Sequence, residues 1–122
     1  MNDFKRHNFK KLKIWKMGME LSRGTLDLTD TFPAYEKYGL KSQMDRCSIS
    51  IPLNIAEGSS RTNKSFSHFL DISLGSSFEL QTQILLANHR KYFSDENCEV
   101  FEIKIEEFQR ATIVFQNMLN KD

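Results

Sequence analysis

Six polar residues recur along one stretch of this chain at the spacing of a single helix face. Wound at about 100° per residue, Gln43, Arg46, Ser50, Asn54, Glu57 and Arg61 fall within roughly 80° of one another. Guanidinium, carboxylate, hydroxyl and amide groups on one face can do three things. They can stand in solvent with local pairs such as Glu57 and Arg61 at i, i+4, each contributing about 0.2–0.5 kcal/mol. They can form a partly buried network that fixes how the helix meets its neighbour. They can also hold a ligand or carry catalysis. The flanks favour the network. Met44, Cys47, Ile51 and Ile55 make one apolar face and Ile49, Leu53 and Ala56 a second, whereas a plain surface helix has one. The helix is therefore expected to have neighbours on two sides, one in its own bundle and one in another subunit. Arg46, Ser50, Asn54, Glu57 and Arg61 are the expected structural network, paired to the following helix through Glu79.

A second chemical feature lies at the N-terminus. Lys5, Arg6, Lys10, Lys11, Lys13 and Lys16 face the single acid Asp3, interleaved with Phe4, His7 and Phe9. Such a segment can grip phosphates and stack on bases, so RNA or DNA is its candidate partner. The competing reading is a solvated tail over residues 1–10. Net charge is +1, yet residues 1–64 hold 12 Lys/Arg against 7 Asp/Glu, while residues 65–122 hold 5 against 9.

Catalysis finds little to work with. A di-iron site in a helical bundle needs Glu-x-x-His on two helices, and the sequence contains none. His68 and His89 are 21 residues apart, about 30 Å along one helix, and His7 is in the N-terminal segment. The HExxH, Walker, GxGxxG and GxSxG patterns are absent. No serine stands at a recognisable triad spacing from a histidine, and Ser67-His68 reads as a surface pair. Glu99, Glu102, Glu106 and Glu107 read as a solvated face. We expect no enzyme, no cofactor and no metal. Cys47 and Cys98 lack CxxC spacing and read as small buried hydrophobes. No apolar run approaches the length needed to span a bilayer and no signal-peptide pattern opens the chain, so the expected location is cytoplasmic.

These features need helices to position them. With 122 residues, ten Phe, two Pro and five Gly, the chain has core material for one domain and few breaks. Apolar periodicity predicts helices from Lys11 to Thr31, ended by Phe32-Pro33, then from the YGL segment to Gly58, from an Asn63 cap onward, and from an Asp95 cap to Asn120. Pro52, inside the second, predicts a kink there. Short connectors between long helices predict an all-α, antiparallel up-down-up-down four-helix bundle over residues 1–122. Apolar residues on the first, second and fourth helices exceed a single core stripe, so a homo-oligomer is expected.

The segment YGLKSQMDRCSISIPLNIAEGSSR resembles the signature of the 23S rRNA-intervening-sequence proteins, YGL-x-SQ followed by R-x-x-x-SIP-x-NIAEG and then R. Upstream, LKIWKMGMEL and FPAYEKYGL are similar to that family's L-x-[VI]-W opening and FP-x-x-E-x-YGL connector. Downstream, FLDISLGSSFELQTQILLA is similar to its FL-x-I-[AS]-x-GS-x-x-EL-x-T-x-[LI] helix. The likeness spans roughly residues 12 to 92. Gly18 departs from it, standing where Ala is common. The resemblance implies a bacterial four-helix bundle without established biochemical activity. It further implies kinship with the accessory protein of diversity-generating retroelements, a basic, nucleic-acid-binding pentameric ring, and so a pentamer here. A near-neutral charge weakens the transfer of nucleic-acid binding and leaves a protein-protein interaction module as the other reading.

Overall fold

The structure, a computed structural model, describes residues 7–121, so Lys5 and Arg6 lie outside the described residues. It comprises α1 (Lys13–Thr29), α2 (Leu40–Gly58), α3 (Asn63–His89) and α4 (Asp95–Asn120), with 3-10 turns at Phe9–Lys11 and Ala34–Glu36. Among the described residues there is no strand. Helices adjacent in sequence pack side by side, α1 on α2, α2 on α3 and α3 on α4, and the bundle is antiparallel.

Each helix end has a local cause. The first helix starts two residues later than its periodicity predicts, because Asn8 caps the preceding 3-10 turn by accepting from Lys10 N at 3.2 Å and Leu12 is extended. The expected caps Asn63 and Asp95 are displaced by the hydroxyls just before them. Thr62 accepts from Ser65 N at 3.3 Å and Ser94 from Asn97 N at 3.1 Å, which leaves Asn63 and Asp95 as first helical residues. α2 runs on past Pro52, which has no N–H to offer the Ser48 carbonyl. Gly18 of α1 lies against α2 at the proline. A Cβ on Gly18 would meet Ile51 Cγ2 at 3.2 Å and Pro52 Cα at 3.4 Å.

The core gathers Met44, Ile51 and Ile55 of α2, Phe66, Leu70, Leu80 and Ile84 of α3, and Ile105 and Phe108 of α4, all 0% exposed. α1 contributes Ile14 and Leu21. Polar groups inside are matched across helices: Ser73 Oγ donates to Ile51 O at 2.9 Å, and Gln109 Nε2 to Ser77 Oγ at 3.2 Å and Gln81 Oε1 at 3.1 Å.

Both ends of the bundle are clasped. At one, His7 N donates to Ser59 O at 3.1 Å, and the His7 ring lies 5.4 Å from Phe66 and 6.0 Å from Phe115. At the other, Tyr92 OH donates to Glu36 Oε2 at 2.6 Å while Leu40 N donates to Glu36 Oε1 at 3.0 Å, so one carboxylate ties the α3–α4 connector to the start of α2. The Tyr92 hydroxyl, then the Leu40 amide, hold the Glu36 carboxyl below the usual glutamate range. A carboxylate favoured by the fold adds stability above its unfolded pKa, and that stability is lost as pH falls through the lower folded value. Glu36→Gln is therefore expected to flatten the acid limb of a Tm-against-pH curve in that window. Identical acid slopes for variant and parent would show that Glu36 is not the titrating clasp.

Candidate nucleic-acid interface and the cleft between two helices

The basic segment divides into two structural parts. Lys10 and Lys11 sit on the 3-10 turn and Lys13 and Lys16 on the first turns of α1. All four are exposed, and none forms an ion pair with a described residue. The aromatic residues among them are committed elsewhere. His7 packs on Phe66 and Phe115, and Phe9 stands edge-on to Trp15 with ring centres 5.3 Å apart. The predicted tail is thus pinned from His7 onward. What it offers outward is a set of lysine charges, suited to phosphates more than to bases. Phe4 lies outside the described residues.

The polar stripe of α2 is arranged differently from expectation. Glu57 Oε2 pairs with Arg61 Nη2 at 3.0 Å, both side chains about half exposed, although Arg61 stands in the turn beyond the last residue of α2; such a surface pair contributes about 0.2–1 kcal/mol. Arg61 also lies over the Phe69 ring, 5.3 Å from its centre. Asn54 Nδ2 donates to Ser50 O at 2.8 Å within α2. Arg46 and Glu79 are exposed, and neither makes an ion pair among the described residues. Within this chain, then, the expected network of Arg46, Asn54 and Glu57 with Glu79 is not formed, because its members satisfy one another locally or face water. Of the stripe, Ser50 is the residue that crosses, its Oγ sharing a hydrogen bond with Ser76 Oγ of α3 and lying within hydrogen-bond reach of Cys47 O.

The two helices nevertheless bring several of these groups together. Gln43, Arg46, Cys47 and Ser50 of α2 and Ser76, Glu79 and Gln83 of α3 line an open cleft of about 360 Å³. Residues some thirty positions apart in sequence meet there. Cys47 Sγ donates to Ser76 O at 3.0 Å, and burial, with the Glu79 carboxylate adding to it, pushes its thiol up to about 11. Cys98 is shifted up as well, by burial and then by Glu102 and Asp95. Neither sulfur has the lowered pKa of a nucleophile. Among the described residues, no group of three or more His, Cys, Asp and Glu is placed to hold a metal ion, and no helix is long and apolar enough to cross a membrane.

Sequence reading missed a charged cluster where α1 ends and α2 begins. Lys41 Nζ pairs with Asp45 Oδ2 at 3.0 Å and Asp30 Oδ1 at 3.2 Å, and Thr29 Oγ1 donates to Asp45 Oδ1. These hydrogen bonds, Asp45 first, raise the Lys41 pKa. The i, i+4 spacing of Lys41 and Asp45 was the available signal. Nothing in the sequence placed Thr29 and Asp30 beside them.

Comparison with known proteins gives the fold a context. A family model described as 23S rRNA-intervening sequence protein matches residues 10–113. The crystal structure of a protein of unknown function from the S23 ribosomal protein family of Bacteroides thetaiotaomicron VPI-5482 superposes with a TM-score of 0.77 at 19% identity, covering 84% of this chain and 97% of that one. At that identity the likeness is one of fold. No curated protein matches the chain.

Proposed function

Given that the chain belongs to the family of 23S rRNA-intervening sequence proteins, we propose that it is a non-catalytic, cytoplasmic bundle that assembles with its own copies, as a pentameric ring, and binds RNA or DNA through the basic segment around Lys5 to Lys16. One observation carries the reading: large apolar side chains stand at the surface of every helix, among them Leu26, Leu53, Leu86 and Met118. Side chains of this kind gathered on exposed faces mark places where a partner docks. The free charges of Lys10, Lys11, Lys13 and Lys16 support the nucleic-acid part. A ring sets one such segment per subunit on a common rim, so weak phosphate contacts add as avidity.

The test is anisotropy with a structured RNA and a DNA duplex, comparing the parent with a variant carrying Glu at positions 10, 11 and 13. The parent is expected to bind both with little sequence preference and to lose affinity by on the order of 10³ between about 50 and 200 mM salt. The variant should bind neither. A parent that binds neither polymer at low salt, or a variant that binds as well as the parent, turns the function toward a protein partner.

A further inference from the structure

The side of the bundle between α1 and α4 is left open. Grooves of about 570, 380 and 350 Å³ run along it, and their walls include Leu12, Met17, Val100, Ile103, Val114 and Met118. Val114 and Met118 are each 60% exposed. On the other flank of α1, two large apolar side chains of α2, Ile49 and Leu53, stand exposed. Ile49 and Leu53 lie four and eight residues beyond Asp45, the residue that touches Thr29 of α1, so they continue the edge of α2 turned toward α1. They are 44% and 61% exposed. One chain therefore carries an apolar groove and an apolar ridge on the two sides of the same helix.

We infer that the ridge at Ile49 and Leu53 of one copy seats in the α1–α4 groove of the next. The inference rests on the self-assembly reading above and names the surfaces that carry it. Charge supports this occupant. Arg46 stands about one turn before Ile49 and Glu57 one turn beyond Leu53, while the groove mouth holds Lys13, Glu107 and Arg110. Arg46, Lys13, Glu107 and Arg110 make no ion pair with any described residue. A docked copy gives Arg46 an acid in Glu107, and gives Glu57 cations in Lys13 and Arg110.

Groove and ridge differ, so the contact is heterologous, and repeating one rotation closes it into a ring. The two surfaces occupy adjacent sides of a four-sided bundle, about a right angle apart. Few copies then complete the circle, with α1 nearest its axis.

Two variants at exposed positions test this: Leu53→Glu removes the ridge and Val114→Glu blocks the groove. Thermal melts confirm that each folds, and light scattering reads the mass. The parent is expected to be oligomeric and each variant alone to be a monomer of 14.3 kDa. An equimolar mixture of the two should give a species of twice that mass, because one intact ridge meets one intact groove. A monomeric parent at micromolar concentration overturns the assembly reading and this inference with it. An assembled parent whose variants keep the parental mass, or whose mixture stays monomeric, overturns the ridge-in-groove contact while leaving assembly standing.

Discussion

Phe66→Ala is expected to cost about 3–5 kcal/mol, the range for truncating a buried aromatic ring, and to lower Tm by roughly 10–20 °C for a chain of this size. The cost belongs at the top of that range because of what the ring joins. Phe66 is 0% exposed in the first turn of α3. Its ring centre lies 5.5 Å from Phe115 of α4 and 5.4 Å from His7, and its edge abuts Gly58 at the end of α2. One truncation thus opens a cavity where three helices and the N-terminal segment meet, and no single side chain there can collapse to fill it. A thermal melt settles the matter. A fall of less than about 3 °C would mean that the site repacks.

Gly58→Ala is expected to destabilise by about 1–3 kcal/mol through the opposite fault, too much matter in a filled space. A Cβ at this position would come within 2.7 Å of both Phe66 Cδ1 and Phe69 Cβ. Gly58 does not have positive φ, so closeness rather than backbone freedom requires the glycine. Gly75 supplies the contrast. It lies inside α3 with nothing within 4 Å of its would-be Cβ, so Gly75→Ala should raise stability by up to about 1 kcal/mol through helix propensity alone. Chemical denaturation of the two variants should move the midpoint in opposite directions. Equal shifts of one sign would show that packing at Gly58 is not what separates them.

The parts of the structure legible in the sequence are those set by short-range chemistry. Apolar spacing located all four helices and Gly58 marked the end of α2, while α1 stops at Thr29, two residues short of the end expected before Phe32-Pro33. The caps slipped by one residue because Thr62-Asn63 and Ser94-Asp95 each offer two competent side chains in a row. The winner is the one whose backbone is extended and whose oxygen reaches the N–H three residues on.

The candidate site was less legible. Helical spacing grouped Gln43, Arg46 and Ser50 correctly on one face, and their cleft with Glu79 follows from α2 lying against α3. Whether Arg46 reaches Glu79 depends on helix rotation and separation, which periodicity does not encode. The clasp from Tyr92 to Glu36 spans 56 residues, and the packing of His7 and Phe9 on ring partners withdrew two aromatics from the surface. Both are long-range or contextual facts.

The arrangement of the helices also has a consequence for how the molecule comes into being. α1 meets α2 across ten residues, α2 meets α3 across four and α3 meets α4 across five, so each docking closes a small loop at low entropic cost and the chain can condense in the order of its synthesis. The seam of α1 with α4 is the exception, since its two walls are separated by the whole of α2 and α3. It closes last, and its sparse packing makes it the first place to open in the folded protein. If copies assemble through these grooves as inferred above, they meet while the grooves are still yielding, and assembly becomes the final step of folding.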